Sequence, residues 1–261
     1  MMKKWLIWML TAALALSCGL AGAEKFVQGI DPEYPPFSYL NDQGEYAGFD
    51  VDIAKAACEI AGLEYEVFPV DWTNKLIQLD NHECDVIWSG MTIMESMKEQ
   101  GYVISEPYFY NTQVLVVKKD SGIASSADLA GKTVAVMLGT SGESLLNDPE
   151  GLQSLRDTFG ELVTCESFLA CFTELEGNAV DAVFVDLPVA VSYAAGKDQL
   201  QVLNEDLGAE YYGLAFRAED AELCAKIESA VQTLVENGTY AEIAARYPDI
   251  DPQNLLFLKV E

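Results

Sequence analysis

Histidine is almost absent from this sequence: His82 stands alone in 261 residues. A His/Cys zinc site needs three or four such ligands, and a Cys–His nucleophile needs a histidine beside it. Six cysteines are present, none in a Cys-x-x-Cys pair, so metal and redox motifs lack their material. Positive charge is scarce as well, with 15 Lys and Arg against 42 Asp and Glu. That surplus repels phosphate backbones and anionic lipid and excludes nucleic acid as a partner. After the N-terminus no apolar run reaches the roughly 18 residues of a membrane-crossing helix.

Lys3 and Lys4 precede an apolar run from Trp5 to Leu16, and Ala21-Gly22-Ala23 offers the small residues that a signal peptidase accepts. Met1–Ala23 is therefore expected to be a cleaved leader of a periplasmic or cell-surface protein. Lipid attachment at Cys18 is the competing reading, weakened by Ala15 where leucine is usual. Removing 23 of 261 residues leaves 238, enough for two modest domains. It leaves 13 basic against 42 acidic residues, a net charge of −29. An apolar content of 50% supports a packed core rather than disorder. Cys58, Cys84, Cys165, Cys171 and Cys224 remain, an odd number that leaves at least one thiol unpaired. They read as small buried hydrophobes, with Cys58 and Cys84 expected as neighbours able to bridge.

Periods of 2 and 3.6 alternate along the chain. Strands are expected at 25–30, 63–68, 85–88, 113–118, 133–137, 162–165 and 182–185. Helices are expected at 51–61, 73–79, from near 141, at 168–176, 188–195, 221–236 and 240–246. Strands separated by helices imply an α/β fold with parallel sheets. One pattern occurs twice. Asn81-His82-Glu83-Cys84 leads into Asp85-Val86-Ile87-Trp88-Ser89-Gly90, and Glu176-Gly177-Asn178-Ala179 leads into Asp181-Ala182-Val183-Phe184-Val185-Asp186. These read as equivalent positions in two similar lobes. Ligands of parallel sheets bind beyond the carboxyl ends of the strands, which singles out Ser89–Thr92 and Asp186.

Other segments supply binding chemistry. Asp31-Pro32-Glu33-Tyr34-Pro35-Pro36-Phe37 is a proline-stiffened loop that presents a carboxylate beside aromatics, suited to a cationic ligand with an apolar body. Trp72, between Asp71 and Thr73 at a helix start, is either core or a stacking wall. Gly139-Thr140-Ser141-Gly142-Glu143, just after Met137, is a glycine-rich turn into a helix that favours an anionic group. It lacks the lysine of a phosphate loop.

These segments occur in a specific order. Pro-Pro-Phe-Ser is followed by Gly48-Phe49-Asp50-Val51-Asp52, Asp71-Trp72, Asp85 through Ile93, Ser105-Glu106-Pro107-Tyr108 and Leu129-Ala130-Gly131-Lys132. Gly139 through Glu143, Asp181 through Pro188 and Asn237-Gly238-Thr239-Tyr240 complete it. Over residues 26–250 the chain resembles the polar-amino-acid-binding proteins of bacterial ABC importers. The resemblance implies a type II periplasmic-binding fold of two α/β lobes, 24–111 with 211–261 and 112–210, closing about two crossover strands. It implies a cofactor-free monomer that delivers a small ligand to a permease and an ATPase. By its pattern Asp31 and Asp186 face the ligand's amino groups, and Tyr34 and Trp72 sandwich its body. Phe37 supports that wall, while Ser89, Gly90 and Thr92 meet the α-amino and carboxylate groups. Ser141 meets the carboxylate, with Met137 and Thr140 completing the ligand set. A sensor component, or an enzyme dehydrating cyclic amino-acid precursors, is the alternative; no His lies in the pocket segments to act as its acid.

One departure bears on the ligand. The resemblance calls for an arginine, clamping the α-carboxylate, where this chain has Met97. Lys98 is one place off, about 100° around a helix, and is expected to point elsewhere. Losing such a contact weakens carboxylate binding by about 2–5 kcal/mol. The pocket is therefore expected to be rich in acid and aromatic groups, its ligand choice moved toward cations.

Overall fold

Alternation of chain-buried strands and amphipathic helices sorts the protein into two sheets. The computed structural model describes residues 23–203 and 205–259; the expected leader and Cys18 lie outside them. In chain order the elements are β1 (Lys25–Ile30), β2 (Glu33–Tyr34), β3 (Ser38–Leu40), β4 (Tyr46–Ala47), α1 (Phe49–Ala61), β5 (Glu64–Pro69), α2 (Lys75–Asp80), β6 (Val86–Ile87), α3 (Glu95–Glu99), β7 (Val103–Ile104) and β8 (Phe109–Lys118). There follow β9 (Thr133–Met137), α4 (Ser141–Asn147), α5 (Gln153–Arg156), β10 (Glu161–Cys165), α6 (Phe168–Glu176), β11 (Ala182–Asp186), α7 (Leu187–Ala194), β12 (Leu200–Leu203), β13 (Ala209–Tyr212), β14 (Ala215–Phe216), α8 (Ala221–Glu236) and α9 (Thr239–Ala244).

The first sheet runs β5-β1-β6-β14-β7, with β1 parallel to both β5 and β6. The second runs β10-β9-β11-β8-β12, with β9 parallel to β10 and β11. This is the two-lobed α/β fold expected of the sequence. Two strands join the sheets: Phe109–Thr112 of β8 pairs antiparallel with β13, and β8 then continues into the second sheet beside β11. A third, small sheet of β2, β3 and β4 folds the proline-rich loop back over the first.

Helix α1 illustrates the local logic. Gly48 admits its entry at φ 132°, where a Cβ would stand 2.2 Å from the Phe37 carbonyl oxygen. Asp50 and Asp52 occupy the first turn, where the helix dipole favours negative charge. Phe49, Ile53, Ala54, Ala57 and Cys58 turn inward against α8 and the first sheet. Gly62, left-handed, ends the helix.

The repeated pattern is a repeated structure. His82 and Asn178 both adopt left-handed backbone, at φ 58° and 63°. Three residues on, Asp85 Oδ2 accepts from the Val27 amide at 2.8 Å, and Asp181 Oδ2 accepts from the Thr133 amide at 2.9 Å. In each case the aspartate's own amide donates to the carbonyl of the residue whose amide it accepts. The carboxylate thus fastens the incoming strand to its parallel neighbour's start, once per sheet. His82 is exposed, with Nε2 3.9 Å from Glu219, and lies outside the site below.

Cys58 and Cys84 are not neighbours. Cys58 packs with Phe26, Ala54 and Val86, whereas Cys84 packs with Val70, Leu79 and Ile87 on the other side of the sheet. A helix buries one face of β6 and α2 buries the other, so the sheet itself separates them. All five described cysteines are free thiols and buried.

Arg217 closes the first repeat unit from beneath. Its Nη1 donates to the carbonyls of Leu79 and Cys84 at 2.9 and 2.6 Å, and its Nη2 meets Asp85 at 3.2 Å. Only 6% exposed, it shields Asp85 and ties α2 to β6. Arg217→Met should lower the unfolding free energy by about 3–5 kcal/mol, the cost of breaking a buried pair. Urea denaturation measures this, and a change under about 1 kcal/mol would contradict the role given to the arginine.

Candidate functional site

The carboxyl ends of the two sheets face one another across a cleft. Tyr34, Trp72, Lys75, Gly90, Met91, Thr92, Met94 and Met97 line one side, and Gly139, Thr140, Ser141 and Asp186 the other. The two sides touch: Thr92 Oγ1 donates to Ser141 Oγ at 3.1 Å, and Lys75 Nζ donates to the Gly139 carbonyl at 3.1 Å. The cavity between them measures about 30 Å³, roughly one water's share of liquid volume. A ligand of amino-acid size requires the sides to part.

Asp186 ends β11 and is 4% exposed. Its Oδ1 accepts from Asn111 Nδ2 and Gln113 Nε2, both at 2.7 Å. The same two amide groups donate to Glu210 Oε1 at 2.6 and 3.0 Å. Two carboxylates therefore share one pair of donors. Burial first, then the charge of Glu210, holds the Asp186 carboxyl well above the usual carboxylate range. Such a pair calls for a proton or a cation.

Tyr34 and Trp72 present nearly parallel rings, 6.5 Å between centroids and 11° between planes. Phe37 stacks on Tyr34 at 5.6 Å and has no exposure. The Tyr34 and Tyr212 hydroxyls lie 2.8 Å apart, both within the surroundings of Asp186. Gly90, at φ 54°, is required here: a Cβ would stand 2.3 Å from Tyr34 Cε1.

The turn carrying Gly90 is held from behind. Asp50, fully buried at the start of α1, accepts from the Gly90 amide at 2.7 Å and the Tyr108 hydroxyl at 2.7 Å. Burial raises its carboxyl to about 7. Ser89 lies in a closed chain of bonds. The Asp31 amide donates to Ser89 Oγ at 3.0 Å, Ser38 Oγ donates to the Asp31 carbonyl at 2.8 Å, and the two hydroxyls lie 2.5 Å apart. With Ser38's proton on the carbonyl, Ser89 donates to Ser38, and its capacity is spent inside.

Eight of the twelve expected ligand residues line the cleft: Tyr34, Trp72, Gly90, Thr92, Met97, Thr140, Ser141 and Asp186. Phe37, expected to support the wall, stands behind it in the aromatic core. Four expectations need correcting: Ser89 also stands behind the wall, in the serine chain. The Gly90 amide, expected to face the ligand, is consumed by Asp50. Asp31 and Met137 line a neighbouring crevice with Glu33, Asp71 and Glu166; Asp31 Oδ1 accepts from the Glu33 amide at 2.8 Å, and burial raises its carboxyl to about 6.

Met97 is 4% exposed and packs with Ile87, Met91 and Ala215. Lys98 points away, at 3.4 Å from Glu95 and half exposed. At the glycine-rich turn the Gly139 amide donates to Glu143 Oε2 at 2.7 Å and the Glu143 amide to Thr140 Oγ1 at 3.2 Å. The protein's own carboxylate has thus taken a donor there.

Sequence reasoning missed Lys75, Met91, Met94, Asn111, Gln113, Glu210 and Tyr212. A lysine three residues after Trp72, in a chain so poor in basic residues, was the available signal for one. Asn111, Gln113 and Glu210 lie on joining strands that were read short or not at all.

The family model for bacterial extracellular solute-binding proteins, family 3, matches residues 26–249. The chain belongs to this family. Its relatives are binding proteins. It is 32% identical to the arginine-binding extracellular protein ArtP of Bacillus subtilis, covering 94% of this chain and 98% of that one. It is 30% identical to a probable histidine-binding protein of Neisseria gonorrhoeae, covering 94% and 96%. Among solved structures, a substrate-binding protein of a Streptococcus pneumoniae ABC uptake transporter with bound histidine superposes with a TM-score of 0.81, at 28% identity over 87% of this chain and 93% of that one. Holo ArgBP from T. maritima gives 0.71 at 33% identity, over 80% and 90%.

Two predictions follow from the geometry of this solute-binding protein. Gly90→Ala should displace Tyr34 and force a strained backbone, costing about 1–3 kcal/mol; an unchanged urea midpoint would contradict this. The raised carboxyls of Asp31 and Asp50 contribute stability that is full below the ordinary value of about 3.9 and is lost as pH rises through about 6 and about 7. Urea-derived unfolding free energy should therefore decline from pH 4 to pH 7, and Asp50→Asn should flatten the upper part of that slope. An unaltered slope in the variant would remove Asp50 as its source.

Proposed function

We propose that this protein captures a small amino-acid-like cation lacking an α-carboxylate and hands it to the permease and ATPase of an ABC importer. The observation that carries the proposal is the buried Asp186, paired with Glu210, facing a cleft whose carboxylate-clamp position is occupied by Met97. A cation at Asp186 offsets the burial and the like charge of Glu210 that together favour a proton there. Tyr34 and Trp72 flank the ligand's apolar body, and Thr92 and Ser141 supply hydroxyls. An α-carboxylate, by contrast, would meet Met91, Met94 and Met97 on one side and a turn already engaged by Glu143 on the other.

Capture proceeds by closure of two lobes, 24–111 with 211–261 against 112–210, about the paired strands β8 and β13. The expected leader places the protein outside the cytoplasm, where arginine- and histidine-binding relatives work. We take its role as binding without catalysis, in keeping with its binding-protein relatives.

A thermal-shift screen of the mature protein against α-amino acids and their decarboxylated amines tests this reading. At 100 times its dissociation constant a ligand adds about 2.7 kcal/mol. Amines should stabilise the wild type, and Met97→Arg should create or sharply improve binding of an ordinary α-amino acid. Stabilisation of the wild type by α-amino acids above their amines, or no gain in the variant, would refute it.

A further inference from the structure

Lys75 is the one basic side chain lining the cleft among the described residues. It begins α2, on the Trp72 side, and its Nζ lies 4.5 Å from the Trp72 ring centroid. Two of its three protons have partners: the Trp72 carbonyl at 3.0 Å and the Gly139 carbonyl at 3.1 Å. One carbonyl comes from each side of the cleft, so the ammonium is fixed in position. Among the described residues it forms no ion pair. Asp31, the first of two carboxylates that act on it from beyond the wall, has an oxygen committed to Glu33. Burial lowers the lysine to about 8, partly offset by Asp31 and Asp71. A half-buried ammonium with a spare proton is short of one anionic partner.

The two charged groups of the cleft are electrically separate. Lys75 answers to Asp31 and Asp71, whereas Asp186 answers to Glu210. Trp72, beneath the Lys75 ammonium, and Tyr34, beside Asp186, form an aromatic pair between them, 6.5 Å from centroid to centroid, and Met91, Met94 and Met97 line the same cleft. The cleft therefore holds a base and an acid on either side of an aromatic pair.

We infer that the ligand is an ω-amino acid, its ammonium at Asp186 and its carboxylate accepting the third proton of Lys75. This deepens the reading of a ligand without an α-carboxylate and rests on it. A bare amine leaves Lys75 uncompensated, and a diamine sets a second cation against it. An α-amino acid with its ammonium at Asp186 holds its carboxylate beside that acid rather than across the aromatic pair at Lys75. A chain of methylenes between two opposite charges satisfies every group in the cleft, and Lys75 is the residue that selects it.

Calorimetric titration tests this with 4-aminobutanoate, 5-aminopentanoate and 6-aminohexanoate. Each is compared with the monoamine and diamine of equal chain length and with α-amino acids. The best ω-amino acid should bind at least about ten-fold more tightly than its monoamine, the worth of a hydrogen bond to a charged group. In Lys75→Met that ratio should fall to about one, and in Lys75→Arg it should largely persist; reading the ratio within each variant removes any general loss of affinity. Monoamines or diamines matching the ω-amino acids, or a ratio untouched in Lys75→Met, would overturn the inference while leaving a carboxylate-free ligand standing. Tightest binding of α-amino acids by the wild type would overturn both.

Discussion

Two carboxylates, Asp186 and Glu210, draw on the same two side-chain amides, and the cleft is organised around that shared debt of positive charge. A lone buried carboxylate can be satisfied by hydrogen bonds, but Asp186, buried and beside a second carboxylate, is held well above the usual carboxylate range. Asn111 and Gln113 neutralise part of the repulsion and fix both carboxylates in place. They cannot remove it, since amides carry no net charge. On the proposed reading that residual demand favours a cation before any shape complementarity operates. It also explains why the acidic surplus of the chain is more than a solubility device at this point.

The rest of the site is scaffolding for an aromatic wall beside that pair. Tyr34 stands against Gly90, Gly90 is held by Asp50, and Asp50 is held by its place in the first turn of α1. The Ser38–Ser89–Asp31 chain fastens the β2–β3 hairpin to the exit of β6. These groups sit one layer behind the ligand. Most of their polar atoms bond to one another, Asp50 Oδ1 excepted, which leaves few donors pointing into the cleft. The consequence is a selective surface built mainly from charge at its ends and from sulfur and aromatic carbon between.

Much of this was legible in the sequence. The strands at 25–30 and 133–137 and the helices at 168–176 and 221–236 run where their periodicity places them. The duplicated turn into Asp85 and Asp181 was visible because one local solution, a left-handed residue followed by a strand-fastening aspartate, leaves the same residue pattern twice. Strands β13 and β14 were not visible. Ala209–Tyr212 pairs with one strand that serves two sheets, so its burial follows no single face and its period is blurred. Residues singled out at the carboxyl ends of strands gather, Ser89 excepted, along one cleft. Sequence order could not distinguish side chains facing the cleft from those one turn behind it: Ser89 and Thr92 are both small hydroxyls at a strand exit, and only the bond to Ser38 separates their roles. The Cys58–Cys84 expectation failed for a related reason, since two residues at one end of a sheet can still be on opposite faces.

Asn111 and Gln113 lie on β8 where it passes from one sheet to the other, and Glu210 lies on the strand paired with it. Any lever moves least at its fulcrum. If the halves of the molecule swing about these two strands as proposed, the acid pair travels less than the walls farther out. On that reading an arriving ammonium is seated at the fulcrum while the outer walls are still apart, and keeps its partners as they come together. Charge would then be met on arrival, and the remainder of the ligand on closing.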